Sequence, residues 1–367
     1  MGVYILKRLF LIVPTLFGIM LMTFAVIQFV PGGPVDQIIA QLTGQETEAT
    51  ARITGGGGGD MGDASGDSDA SLNSAYEGGR GLDPDFVKEL EKQFGFDRPA
   101  HERFFKMLWD YIRLDFGTSF FQDRSVISLL VERMPVSISL GFWTLVIHYS
   151  ICIPLGIAKA VRDGTPFDIW TSAAIFIGFA IPQFLFAILL IVLFAGGNYW
   201  DFFPLRGLTS FYFDDLSTWG KIKDYFWHLV LPVLAMVLSG FAVLTMLTKN
   251  LFLEEISKQF VLTARAKGLT EKRVLYGHVF RNAMLIIIAQ MPGALVNILF
   301  TGALLIEIIF SLNGIGLLGF EAIVSRDYPI VMGTLFMFSL IGLVMHLVGD
   351  ITYVLVDPRI DFETREV

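Results

Sequence analysis

The sequence predicts an all-α membrane protein with six transmembrane helices, both termini on one side, and a helical extension on the other side between spans one and two. Three observations carry this. Only 17% of the 367 residues are charged and 54% are hydrophobic, whereas a soluble domain usually has about 25% charged residues. Six stretches free of Asp, Glu, Lys and Arg reach the roughly 20 residues that a helix needs to cross the hydrocarbon core. The Lys and Arg residues between these stretches also gather on alternate segments. The composition excludes other classes: a single cysteine, Cys152, rules out a disulfide scaffold and a cysteine-ligated metal site, and a net charge of −8 rules out a general nucleic-acid binder.

In chain order, the uncharged runs are Leu9–Val30 (22 residues), Val136–Ala158 (23), Ile169–Ala195 (27), His228–Thr248 (21), Asn282–Ile306 (25) and Tyr328–Gly349 (22). Lys7 and Arg8 precede the first run as they would in a signal peptide. The run is too long for an h-region, however, and it ends in Phe-Val-Pro-Gly-Gly rather than a small-residue cleavage site, so it reads as an uncleaved anchor. Pro14, Pro154, Pro182 and Pro232 are expected to kink their helices. With the N-terminus inside, the inside segments hold 13 basic residues and the short outside loops hold four: Arg206, Lys221, Lys223 and Arg326. The positive-inside rule therefore puts both termini in the cytoplasm. The ten basic residues between Pro31 and Pro135 do not oppose this, because long segments are exported largely regardless of charge.

Four regions follow. Residues 1–30 form an N-terminal anchor and 31–135 an outer segment, 136–356 form a five-span core with an inside loop at 249–281, and 357–367 form a tail. Within the outer segment, residues 44–81 are rich in Gly, Ser, Ala and Asp and cannot bury enough apolar surface to offset ordering, so a mobile loop is expected. Residues 84–134 are expected to form two or three amphipathic helices, because Phe86, Leu90, Phe94, Phe104, Phe105, Leu108, Trp109 and Ile112 recur at helical spacing.

The inside loop carries the functional signal. Over 249–281 it holds seven basic and three acidic residues. Gly268 suits the end of one helix, since it can take positive φ. Thr270 can cap the next, with Glu271 in its first turn. The expected shape is helix, tight turn, helix, with Ala264 and Ala266 just before the bend, which suits insertion into a groove on a partner. The segment Thr263-Ala-Arg-Ala-Lys-Gly-Leu269 followed by His278-Val-Phe-Arg-Asn-Ala283 resembles the coupling loop of ABC-importer permeases in its peptide-permease form. The family's Glu-Ala-Ala signature stands here as Leu262-Thr263-Ala264.

The resemblance covers nearly the whole chain. Lys7-Arg8, Pro31-Gly-Gly-Pro-Val-Asp36, Gln93-Phe-Gly-Phe-Asp-Arg-Pro99 and Asp115-Phe-Gly-Thr-Ser119 are similar to the N-terminal part of dipeptide and oligopeptide permeases. Phe310-Ser-Leu-Asn-Gly-Ile-Gly316, Arg326-Asp-Tyr-Pro329 and Asp357-Pro-Arg359 are similar to their C-terminal part. The Gly-rich insertion and Gly81-Leu-Asp-Pro-Asp85 look most like the branch that imports peptides and microcin C.

The resemblance implies a multi-pass permease of the bacterial inner membrane that carries peptides, microcin C-like ones included. It would pair with a second permease subunit as a heterodimer, with cytoplasmic ATPase subunits below and a periplasmic solute-binding protein above. No G-x-x-x-x-G-K-[S/T] loop occurs in this chain, so ATP-Mg would be bound by the partner ATPases and this subunit would be non-catalytic. Thr263, Ala264, Arg265, Ala266, Lys267 and Gly268 would dock on the ATPase. Glu307, Asn297, Gln290 and Gln183 are candidates for the peptide pathway. A lipid-facing carboxylate costs about 2.5–3.5 kcal/mol on insertion scales, so Glu307 should face the bundle interior or water, either lining the path or bonding backbone in the Asn313-Gly-Ile-Gly316 hairpin. Asp350 is expected to pair with a basic group or cap a helix.

Two rival readings draw on some of the same residues. A proton-coupled secondary transporter of peptides would use Glu307 and Asp350 as carriers but leaves the inside elbow unexplained. An intramembrane aspartyl protease would need Gly57-Gly-Gly-Asp60 within a span, and that string lies in a polar loop. His148, His228 and His346 lack a metal-ligand spacing.

Overall fold

The computed structural model describes residues 2–29, 35, 88, 92, 97–197, 199–300 and 304–356. The expected loop at 44–81, the tail at 357–367, and the motifs at Pro31–Asp36 (Val35 apart) and Asp357–Arg359 lie outside the described residues. The described helices are α1 (Gly2–Phe29), α2 (Ala100–Ile112), α3 (Val126–Val161), α4 (Pro166–Ala180), α5 (Gln183–Phe194), α6 (Thr218–Ile256), α7 (Gln259–Ala266), α8 (Glu271–Val274), α9 (Phe280–Phe300), α10 (Leu304–Ile309), α11 (Ile315–Val324) and α12 (Tyr328–Val356). A wide π turn, Leu275–Val279, joins α8 to α9. Among the described residues the only extended pairing is an isolated antiparallel bridge between Thr118 and Ser125.

The all-α expectation holds, and five helical stretches are long and apolar enough to cross a membrane: α1, α3, α6, α8 through the first part of α9, and α12. The third expected span departs from the uninterrupted helix that its run of uncharged residues suggested. It is split into α4 and α5, which meet at 93°, and counting this pair as one span gives six. Pro182 is the cause. It has no N–H to continue the ladder, and it drives Ile181 to extended backbone (φ −80°, ψ 120°). Pro14, Pro154 and Pro232 lie inside uninterrupted helices. The fifth run covers α9 and the start of α10, with residues 301–303 outside the described residues. The fourth lies within a helix of 39 residues, about 58 Å long at 1.5 Å per residue.

The chain forms two compact units. The first comprises Met1–Pro14, Leu130–Leu318 and Met337–Val367. In it α4, α5 and α9 pack on α6, and α10 packs on α5 and α6. One apolar cluster joins Leu140 of α3, Ala187 and Leu190 of α5, Leu229 to Val237 of α6, and Ile306, Phe310 and Leu312. A second cluster lies around the α7–α9 segment: Ile157 and Ala160 of α3, Phe252 of α6, Val261 and Ala264 of α7, Val274, Val279, and Ala283, Met284 and Ile287 of α9. Each fully buried Leu, Ile, Val or Phe there contributes about 1.5–3 kcal/mol where the alternative is water. This second cluster therefore gives the short helices α7 and α8 a foundation that their length alone could not.

The second unit comprises Thr15–Leu129 and Gly319–Phe336. Helix α2 is amphipathic, with a narrow buried face; Phe86, Leu90 and Phe94, expected at helical spacing before it, lie outside the described residues. Phe104 meets Phe17 and Phe24 of α1, with ring centroids 5.8 and 5.2 Å apart. Tyr111 meets Phe116 and Phe336. Phe105, Trp109 and Ile112 are exposed. Two of the sequence motifs touch here: Ser119 Oγ donates to Asp327 Oδ2, and Phe120 N–H donates to Asp327 Oδ1 at 3.3 Å.

Candidate functional site

The elbow is built from α7, a turn at Lys267–Thr270, and α8. Gly268 adopts φ +80° and has no neighbour within 4 Å of where a Cβ would stand, so the turn selects glycine for its backbone conformation rather than for space. Its N–H donates to Arg265 O at 2.9 Å and the Lys267 N–H donates to Thr263 O at 3.1 Å, closing the helix end. Across the turn, the Arg265 guanidinium meets both Glu271 oxygens, Nε to Oε1 at 3.0 Å and Nη2 to Oε2 at 3.1 Å. Thr270 takes the N-cap position of α8, but its side chain makes no capping bond; the Arg265–Glu271 pair ties α7 to α8 instead.

Before the elbow, Lys258 is held by Glu254 at 3.3 Å and by Glu255. The Glu255 hydrogen bond is the main reason its ammonium pKa is raised above the usual value.

Of the six residues expected to dock on a partner, Thr263, Arg265, Ala266, Lys267 and Gly268 are exposed. Ala264 points inward and is buried in the second apolar cluster. Leu262, which the sequence offered only as a signature variant, is 60% exposed. The elbow thus has an inner face anchored by Val261 and Ala264 and an outer face presenting Leu262, Thr263, Arg265, Ala266 and Lys267. Such an apolar side chain ringed by polar ones is the composition of a contact surface.

Among the described residues, no contact brings Gln183, Gln290 and Glu307 into one cluster. Gln183 opens α5 at the bend and is half-buried, and Gln290 on α9 is exposed. Asn297 lies on α9 with its side chain outside the described residues. Glu307 on α10 is fully buried. Ser137 Oγ of α3 donates to its Oε1 at 3.0 Å, and Leu317 N–H donates to its Oε2 at 2.7 Å. Ser137 Oγ in turn accepts from Ile315 N–H at 2.9 Å. These bonds fasten the hairpin before α11, where a carboxylate also suits the positive helix end. A Cβ on Gly314 would fall inside the Glu307 carboxylate, which accounts for glycine in that motif. Asp350 accepts from Tyr4 OH at 3.0 Å and pairs with Arg8 at 3.1 Å, the basic partner that the sequence called for.

Sequence reading missed a buried charge cluster. Lys159 of α3 is completely buried, and its Nζ donates to Asp168 O at 2.8 Å, Thr171 Oγ1 at 2.9 Å and Ser172 Oγ at 2.6 Å. It also lies 3.0 Å from Asp168 Oδ1. Lys249 of α6 reaches Asp168 Oδ2 and Asp163 Oδ1, each at 2.7 Å. The one signal for it was that the uncharged runs stop at Lys159, Asp168 and Lys249. Among the described residues no group of three His, Cys, Asp or Glu side chains is placed to hold a metal ion.

Comparison with known proteins bears on the whole chain. It is 62% identical over 367 residues to the peptidoglycan transport system permease protein YejB of Agrobacterium fabrum, covering 100% of each. It is 57% identical over 368 residues, again covering 100% of each, to the inner membrane ABC transporter permease protein YejB of Escherichia coli O157:H7. The dipeptide transport system permease protein DppB of Escherichia coli strain K12 is 30% identical over 373 residues, covering 97% of this chain and 98% of that one. Residues 152–362, which include the charge cluster's Lys159, Asp163, Asp168 and Lys249, the elbow and the Glu307 hairpin, match a family described as binding-protein-dependent transport system inner membrane component. That match spans more than half of the sequence, and the chain therefore belongs to this family of inner-membrane transport components.

Proposed function

We propose that the chain is the membrane-spanning permease subunit of an ATP-binding-cassette importer that carries peptides across the inner membrane. The observation that carries this reading is the elbow, a short, clamped turn whose inner face is part of the protein core and whose outer face is free to enter a partner. In this reading Thr263, Arg265, Ala266, Lys267 and Gly268, with Leu262 beside them, face a cytoplasmic ATPase subunit. Ala264 supports them from behind. ATP-Mg is bound and hydrolysed by the ATPase subunits, and this chain is non-catalytic. A second permease subunit completes the pathway, a periplasmic solute-binding protein delivers the peptide, and both termini lie in the cytoplasm. The peptide substrate is inferred from what the YejB and DppB names say of those proteins. Among the pathway candidates with described side chains, Gln183 at the α4–α5 bend is half-buried and Gln290 on α9 is exposed, so both are open to contact.

The proton-coupled alternative needs carboxylates free to exchange protons with a path, whereas Glu307 is held by hydrogen bonds and Asp350 by a hydrogen bond and an ion pair. The deciding experiment is purification of the tagged chain from its native membrane, followed by assay of ATP turnover and peptide uptake in proteoliposomes. Recovery of a second permease and an ATPase, with turnover stimulated by peptide-loaded binding protein, is the expected result. Isolation of the chain alone with uncoupler-sensitive uptake would favour the alternative. In the same assay Gly268→Val, which forces a β-branched residue to positive φ, should leave the complex assembled and lower uptake per ATP.

A further inference from the structure

The buried charge cluster has a geometry that stability alone does not explain. Two ammonium groups and two carboxylates balance to zero. Replacing such a set with apolar side chains is often neutral or stabilising, so its presence points to a requirement for specific geometry. Its two halves also differ. Lys159 makes only local bonds, to residues nine to thirteen positions ahead, and so closes the short connection from α3 into α4. Lys249 makes the long-range bonds, 81 residues away to Asp168 in the first turn of α4.

Lys249 stands seven residues before the end of α6, about 10 Å along the helix axis from where the elbow segment begins. Close to it, α3 and α6 approach so tightly that a Cβ on Gly156 would stand 2.6 Å from Thr248 Cβ. Apolar contacts between helices let them slide. A carboxylate held by two ammonium groups, at 3.0 and 2.7 Å, does not, because either helix would have to leave its counter-charge buried and unpaired. Asp168 accordingly joins the helix that leads to the elbow to the first half of the broken pair α4–α5. Helix α5 packs on α10, which carries Glu307.

We propose that Asp168, clamped between Lys249 and Lys159, is a positioning residue of the transport cycle: it makes α4 follow α6 whenever the elbow is displaced. The inference rests on the importer reading above. Its function is to transmit displacement, so its loss should separate hydrolysis from transport rather than diminish both. Contiguous packing by itself does not establish coupling, and the test therefore reads a ratio.

The assembled transporter, with all its subunits in proteoliposomes, is assayed for peptide uptake and ATP hydrolysis on one preparation. Lys249→Met should lower uptake per ATP by about tenfold while hydrolysis stays within roughly twofold. Lys249→Arg, which keeps the charge, should restore the ratio. Asp168→Asn keeps the size of the side chain and leaves Lys159 its bonds to the backbone oxygen of residue 168, Thr171 and Ser172, but it removes the charge that holds Lys249, so it should lower the ratio in the same way, by about tenfold. The proposal is overturned if Lys249→Met or Asp168→Asn keeps the wild-type ratio, or if in both variants uptake and hydrolysis fall together with complex yield. A wild-type complex whose hydrolysis ignores peptide-loaded binding protein would overturn the importer reading itself, and this inference with it.

Discussion

At the scale of single residues, Glu307 illustrates how a carboxylate is kept inside an apolar cluster. Its neighbours Ile306, Phe310 and Leu312 are all buried, and water is replaced by donors fixed in place: a serine hydroxyl from α3 and a backbone N–H at the start of α11. Ser137 is the hinge of the arrangement, since one oxygen both donates to the carboxylate and accepts from Ile315 N–H. Ser137→Ala leaves a buried acceptor and a buried donor unsatisfied, a loss of about 1–3 kcal/mol each. The thermal midpoint of the purified complex should fall clearly, and an unchanged midpoint would show that water restores both bonds. Sequence alone identified Glu307 as a residue that must face the bundle interior or water, because an unsatisfied charge in lipid is costly. It could not choose between path and hairpin, since the deciding partner, Ser137, lies 170 residues away and looks like any other serine in an apolar run.

At the scale of elements, the elbow was legible because its punctuation is local. Gly268 marks the turn, and the change from an apolar run to seven basic residues marks the loop. Which side of α7 faces out was not legible, because α7 spans only eight residues and its burial depends on Ile157, Phe252 and Ala283 arriving from other helices. The resulting exposure of Leu262 yields a prediction. Leu262→Asp places a charge on the outer face without touching the core, so the permease should still assemble with its sister subunit. The ATPase recovered per permease in a pull-down should drop by about tenfold, as expected when a central apolar contact is lost. Equal recovery would remove Leu262 from the docking surface. The α4–α5 break shows the other limit of local reading: Pro182 was visible, but a run of 27 uncharged residues looks the same whether the proline kinks a helix or ends it.

At the scale of the whole molecule, run lengths located the spans well, and they erred wherever charges were paired. Counting ended three spans at Lys159, Asp168 and Lys249, as it must when each charge is judged alone, yet α3 and α6 continue past theirs and α4 begins before Asp168. These charges neutralise one another across helices distant in sequence, which no window can see. The orientation proposed from the basic residues is directly testable. In a Cys152→Ser background, Lys267→Cys should react with a membrane-impermeant maleimide only in inverted vesicles. Phe211→Cys, at a site 95% exposed, should react only in intact spheroplasts. The reverse pattern would invert the topology and place the elbow on the side where no ATP is available.

The length of α6 has a consequence for how such a machine can be driven. An unbroken rod of about 58 Å that begins at Thr218 and leads into the elbow at its other end behaves as a lever. If it pivots near its midpoint, a tilt of about 10° sweeps each end through about 5 Å in opposite directions. A push delivered from one aqueous phase then arrives in the other as a movement of equal size and opposite sense, with no intermediate refolding to slow it.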